Sequence, residues 1–296
     1  MKHDKSSRKV HHQNFKEILY FINVLTATGL SSYLSQIIVG YPMLWLLGSS
    51  TFQTPLVTAI RTALSYFVAI FALVTLPKFL TRKKSSKDAK CSISPDSTVL
   101  SSQKSSSNNS ISSSEYPTWL TSKEELGIIS LPTFTDIFLS IIGFFIYLLL
   151  SSLFLQFFNS FPWFQANEAQ DVGFSRYLSE PDRIFAFIAL VILAPIFEEL
   201  IFRGWLYGKL RKSSIGTINP KKAGQTTISI PLAPILLTSI LFGFLHGQWN
   251  VGVNVFALSL VLCCLREITG TIYASILLHI IKNGIAFYLM YIIGFF

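Results

Sequence analysis

The chain has 296 residues, 51% hydrophobic and only 13% charged, with a mean hydropathy of +0.51. A soluble domain carries about a quarter charged residues, so this depletion excludes an ordinary soluble enzyme and makes the bilayer the solvent. The formal net charge of +9 does not indicate a nucleic-acid partner, because the basic residues stand between apolar runs, where they meet lipid headgroups and set topology.

Residues 1–16 are polar and basic, with Lys2, Lys5, Arg8, Lys9 and Lys16. The apolar run that follows is too long for a signal peptide and reads as a retained first span. Residues 17–77 hold two spans, about 18–41 and 56–76, and no charged residue occurs between Ile18 and Ile60. About 20 apolar residues suffice to cross a bilayer. Residues 78–133 form a Ser-rich loop with Arg82, Lys83 and Lys84, too poor in apolar side chains to fold, and disorder is expected there. Residues 134–182 hold a third span, about 136–158, and an acidic loop containing Glu168, Asp171, Glu180 and Asp182.

Four further spans are expected within 183–293, at about 184–207, 231–249, a shorter 252–265, and 271–293. The expected fold is an all-α polytopic membrane protein of about seven transmembrane helices, its active site in the C-terminal helices. The positive residues place the N-terminus, the 78–133 loop and the loop from Lys209 to Lys222 on the cytoplasmic side and the acidic loop opposite. The membrane is the plasma membrane if the host is bacterial. Cys91, Cys263 and Cys264 form neither a disulfide nor a metal framework.

The fourth span contains Pro195, Glu198, Glu199 and Arg203. A charge at the bilayer centre costs about 2.5–3.5 kcal/mol on insertion scales, so three in one helix require compensation. Glu199 and Arg203 are spaced i,i+4 and can pair along one face, as a packing ion pair would. Glu198 points about 100° away and is left for another role. Pro195 weakens the helix and frees backbone carbonyls. The fifth span ends at Phe242 and His246, and the last carries His279 and Asn283 on one face, with Lys282 between them. A lone membrane histidine most often serves as an interhelical hydrogen-bonder. Counted from the expected helix ends, however, Glu198, His246 and Asn283 all lie roughly 16–22 Å deep, near the middle of the core.

The ordered set Glu-Glu-x-x-x-Arg with Tyr207 four residues on, Phe-x-x-x-His, then His-x-x-x-Asn resembles the CAAX-protease and bacteriocin-processing family over about residues 184–290. This family of intramembrane endopeptidases includes the type II prenyl-protein endopeptidases. The resemblance implies that Glu198 activates water, that Glu199 and Arg203 support the site, and that His246 helps bind water or substrate. It further implies that His279 and Asn283 stabilise the oxyanion. Lys282 is outside this pattern, and either snorkels or pairs with Glu199. The implied substrate is a peptide or lipid-anchored protein at the lipid bilayer.

Family members are labelled metalloproteases, which leaves zinc open, with Glu198, His246 and His279 as its ligands. No His-Glu-x-x-His run occurs, and using Glu198 as a ligand would remove the best base. No metal cofactor is therefore the favoured expectation. Two other classes remain open: a catalytically silent immunity or scaffold protein, and a proton-coupled transporter, though no internal repeat supports the latter.

Overall fold

The computed structural model describes residues 2–79, residues 120–212 except 167, 169, 171, 176 and 177, and then 217–218 and 230–294. Most of these residues are helical. The only strand pairing among them is a two-residue antiparallel ladder, Thr217–Ile218 with Ile230–Pro231.

In chain order the helices are α1, Lys2–Phe52, and α2, Pro55–Phe79, then a single turn α3, Lys123–Leu126, and α4, Phe134–Phe158. They continue with α5, Glu180–Leu210, α6, Leu232–Phe244, α7, Trp249–Thr269, and α8, Tyr273–Ile293. Six of these are long and apolar enough to cross a membrane, and the 13-residue α6 makes a shorter seventh. The chain is thus an all-α, multi-pass membrane protein.

The fifth and sixth spans exchange their expected lengths. A turn after Phe244, in which Gly247 takes a φ of +70°, ends α6 early. The next helix runs the full 21 residues of α7, continuing through Arg266 and Glu267 to Thr269. Those two charges mark a sequence boundary for a reader of hydropathy, yet each has a partner that lets the helix carry it. Thirteen residues reach only about 20 Å, short of a ~30 Å core, so α6 ends within the bilayer and presents His246 at depth.

Packing follows membrane rules, with apolar side chains outward and small or polar ones inward. On α4, Ser140, Gly143, Tyr147 and Ser151 are buried at helical spacing, while Phe138, Phe145, Leu149 and Leu153 are exposed. A Cβ on Gly143 would come within 2.7 Å of Leu278 on α8, and one on Gly243 within 2.7 Å of the Gly252 carbonyl, so both helix crossings depend on glycine. The main cluster joins Phe21 and Val24 of α1 and Leu73 of α2 to Phe202, Trp205 and Leu206 of α5, Phe242 of α6 and Val255 of α7. Helix α5 sits at its centre.

The expectation of disorder up to residue 133 fails for the last part of that loop; residues 80–119 lie outside the described residues. Ser122 caps α3 in a capping box with Glu125, and the turn docks on the Gly204 and Gly208 face of α5. Lys209, expected as a basic loop residue, is fully buried, donating to the Leu120 carbonyl at 2.7 Å and to Glu125 Oε2 at 3.0 Å. Lys212 also pairs with Glu125. Arg266 donates to the Glu124 and Glu125 carbonyls at 3.0 and 3.1 Å, and Arg211 forks onto Glu267 at 2.6 and 2.7 Å.

Candidate active site

Helix α5 is irregular on either side of its glutamate pair. Two π-helical stretches, Ile188–Leu193 and Leu200–Leu206, flank the α-helical turn Ala194–Glu199. Pro195 lacks an N–H, so carbonyls one turn earlier lose their helical donor. One of them, the Leu190 carbonyl, accepts from Asn283 Nδ2 of α8 at 2.8 Å. The proline thereby creates the acceptor that fixes α8 against α5.

Both carboxylates, expected on different faces, converge on His279. Its Nδ1 lies 2.9 Å from Glu199 Oε1, and its Nε2 lies 3.7 Å from Glu198 Oε2. A carboxylate only accepts, so Nδ1 carries the proton toward Glu199 and Nε2 is the atom that faces Glu198.

Glu199 is fully buried and already engaged. Arg203 Nη1 donates to its Oε1 at 2.9 Å, forming the expected i,i+4 pair, and both side chains are at 0% exposure. The Arg203 guanidinium lies over the Phe242 ring at 4.4 Å from the centroid, a cation–π contact that partly replaces lost hydration. Phe242 in turn sets the histidines, with its ring centroid 4.9 Å from that of His246 and 6.0 Å from that of His279. The His246 Nδ1 lies 2.8 Å from the Phe242 carbonyl, which leaves Nε2 for another partner. Lys282 does not pair with Glu199, whose reachable oxygen is taken by Arg203 and His279.

Glu198 differs from its neighbour. Its side chain keeps 15% exposure, and it opens onto a cavity of about 310 Å³. His246, Phe242 and Phe202 line that cavity, together with Ser32, Ser35 and Gln36 of α1. Tyr66 of α2 donates its hydroxyl to Glu198 Oε1 at 2.5 Å and stacks on Phe197 at 5.6 Å between ring centroids. The sequence reading assigned no function to α1 or α2. The one available signal was Tyr66 itself, a hydroxyl midway along an apolar span that must find a partner.

The structure thus gathers Glu198, Glu199, Arg203 and His279 into one contact network. His246 lines the same cavity as Glu198, and Asn283 ties α8 to the Leu190 carbonyl of α5. Among the described residues no three His, Cys, Asp or Glu side chains come together so as to hold a metal ion. The zinc set Glu198, His246 and His279 does not form a ligand triad in this arrangement, so no chemical step is derived through a metal.

The arrangement supplies a partly exposed carboxylate, a second carboxylate held by a cation, one imidazole lining the cavity and another within reach of both carboxylates. No curated protein and no solved structure matches the chain. Residues 180–285 match the family model described as type II CAAX prenyl endopeptidase Rce1-like. That interval spans the Glu-Glu-x-x-x-Arg, His246 and His279/Asn283 motifs, and over it the chain is similar to that family.

Proposed function

We propose that the protein is an intramembrane endopeptidase that cleaves a membrane-anchored or membrane-proximal peptide with water activated by Glu198. The observation that carries this reading is the asymmetry of the glutamate pair. Glu199 is sealed and neutralised by Arg203, while Glu198 opens to the cavity with one oxygen held by Tyr66 and the other facing His279. A purely structural ion pair has no need of the second carboxylate.

In this mechanism Glu198 takes a proton from a cavity water as the oxygen attacks the scissile carbonyl. The C–O bond forms, the carbonyl π electrons move to oxygen, and the oxyanion is received by the Asn283 N–H not committed to Leu190, with His279 beside it. Glu198 then returns the proton to the leaving amine as the C–N bond breaks. His246 Nε2 holds the water or the substrate. Base catalysis of this kind contributes about 10²–10⁴-fold, and each oxyanion donor about 10²–10³-fold.

The same reading is metal-free, since Glu198 serves as base and Asn283 is a better oxyanion donor than zinc ligand. It places the 78–133 loop in the cytoplasm. Fragment profiling of membranes from cells carrying the wild type or Glu198→Gln tests the function. A membrane protein cut only with the wild type is the expected result, and identical fragment sets would reject peptidase activity. Purified protein should hold well under one zinc per chain and stay active after dialysis against a chelator. Loss of activity on chelation, restored by zinc alone, would overturn the metal-free part.

A further inference from the structure

A second cavity, walled mostly by apolar side chains, lies between α4, α7 and α8, with a volume of about 330 Å³. Its lining includes Tyr147, Asn250, Asn254 and Lys282, and its mouth is at Ala166 and the exposed Glu168. Lys282 is the outlier. It stands in the middle of a membrane-spanning helix, half-buried, with no hydrogen bond or ion pair to any described residue. An ammonium in such a place calls for an anion, since intramembrane charges otherwise pair or line an aqueous path.

The neighbours are arranged for one. Tyr147 donates to Asn254 Oδ1 at 2.7 Å, which leaves the Asn254 Nδ2 donor without a hydrogen bond among the described residues. Asn250 ties the cavity to the loop at its mouth, donating to the Glu168 carbonyl at 2.5 Å. Lys282 also lies one helical turn beyond His279 and next to Asn283.

We propose that this cavity is a carboxylate subsite in which Lys282, assisted by Asn254, holds an anionic group of the peptide substrate. The proposal rests on the peptidase reading for the word substrate, but the site itself does not. The carboxylate is either a chain terminus or an acidic side chain close to the cleaved bond. Charge-assisted hydrogen bonds in a desolvated site are strong, and removing one partner from such a bond weakens binding by about tenfold or more.

The test uses full-length Glu198→Gln protein in nanodiscs and fluorescent acylated hexapeptides with neutral side chains. These end as a free acid, as a carboxamide, or as a carboxamide with Asp at one of the last three positions, and binding is read by anisotropy. The free acid or an Asp peptide should bind about tenfold more tightly than the neutral carboxamide. The difference should vanish when Lys282→Met is added and persist with Lys282→Arg, whose charge is retained. Recovery by Asp peptides assigns a side-chain carboxylate, and recovery by the free acid alone assigns the terminus. Equal affinity for all peptides, no binding of any, or discrimination that survives Lys282→Met overturns the proposal. The same peptides incubated with wild-type protein separate the two claims. Discrimination without hydrolysis would reject the peptidase reading and leave the subsite, and hydrolysis without discrimination would do the reverse.

Discussion

Glu198 and Glu199 are adjacent in sequence and chemically identical, and their surroundings alone divide the labour between them. Arg203 and His279 enclose Glu199, whereas Tyr66, a cavity and the other face of His279 surround Glu198. Arg203→Ala therefore strands a buried carboxylate, which in soluble proteins costs about 3–5 kcal/mol. It should lower abundance and thermal stability in detergent as well as activity. Size-exclusion and melting profiles like those of the wild type would contradict this. Tyr66→Phe removes one hydrogen bond to an ionised group and leaves the Phe197 stack. It should reduce kcat/KM about tenfold with abundance unchanged, and undiminished kcat/KM would remove Tyr66 from the site. Motif spacing was enough to single out Glu198, Glu199, Arg203 and His279, which the structure brings into contact, since i,i+4 spacing reports a shared helix face. Tyr66 was not legible, because its role depends on α2 meeting α5, and no local pattern encodes that meeting.

At the scale of the elements, α5 is regular just where the glutamates stand. Glu198 and Glu199 lie in the α-helical turn between its two π stretches, about 100° apart on the wheel, and meet one histidine at different ring nitrogens, Nε2 and Nδ1. That is why wheel reasoning assigned them different faces. Span length failed between α6 and α7, where a glycine turn inside an apolar run set the boundary in place of a charge. The turn α3 was missed for another reason: beyond its Ser122–Glu125 capping box, it is held by docking on Gly208 of α5. A Cβ on Gly208 would lie inside contact distance of the Glu125 carbonyl, so Gly208→Ala should release residues 120–131 to limited proteolysis. Gly40→Ala, which meets nothing within 4 Å, should not. Glu125 also makes this docking sensitive to pH. Burial opposes its ionisation, but hydrogen bonds from Lys212 and Lys209 outweigh burial and hold the carboxyl below its ordinary 4.5. Its contribution is therefore full above about pH 4.5 and is lost as pH falls through the lower folded value. Hydrogen exchange of residues 120–131 should stay slow from pH 7 to 5 and accelerate, after correction for intrinsic rate, only in stronger acid. Release near neutrality would contradict the Glu125 anchor.

At the scale of the molecule, the N-terminal helices are walls of the site and not an appendage to it. Ser32, Ser35 and Gln36 of α1 and Tyr66 of α2 face the cavity that Glu198 opens onto. The matched segment, 180–285, ends short of them on the N-terminal side, so it holds the glutamate and histidine motifs but not the whole cavity wall. Hydropathy made the all-α, multi-pass class readable from composition alone, since it depends on bulk apolarity and not on any one contact. Orientation is a separate prediction, drawn from positive charge. With Cys91 replaced, a cysteine at Lys123 should resist an impermeant thiol reagent in intact cells and one at Ser160 should react. The opposite pattern would invert the topology while leaving the site unchanged.

The most direct test of Glu198 as the base is hydrolysis of a lipid-anchored reporter peptide by purified protein in proteoliposomes. Wild type and Glu198→Gln should be compared at equal reconstituted amounts and equal melting temperature. The account predicts cleavage by the wild type and a loss of about 10²–10⁴-fold in kcat for the variant, with KM little changed. A well-folded Glu198→Gln protein that cleaves at the wild-type rate would contradict it.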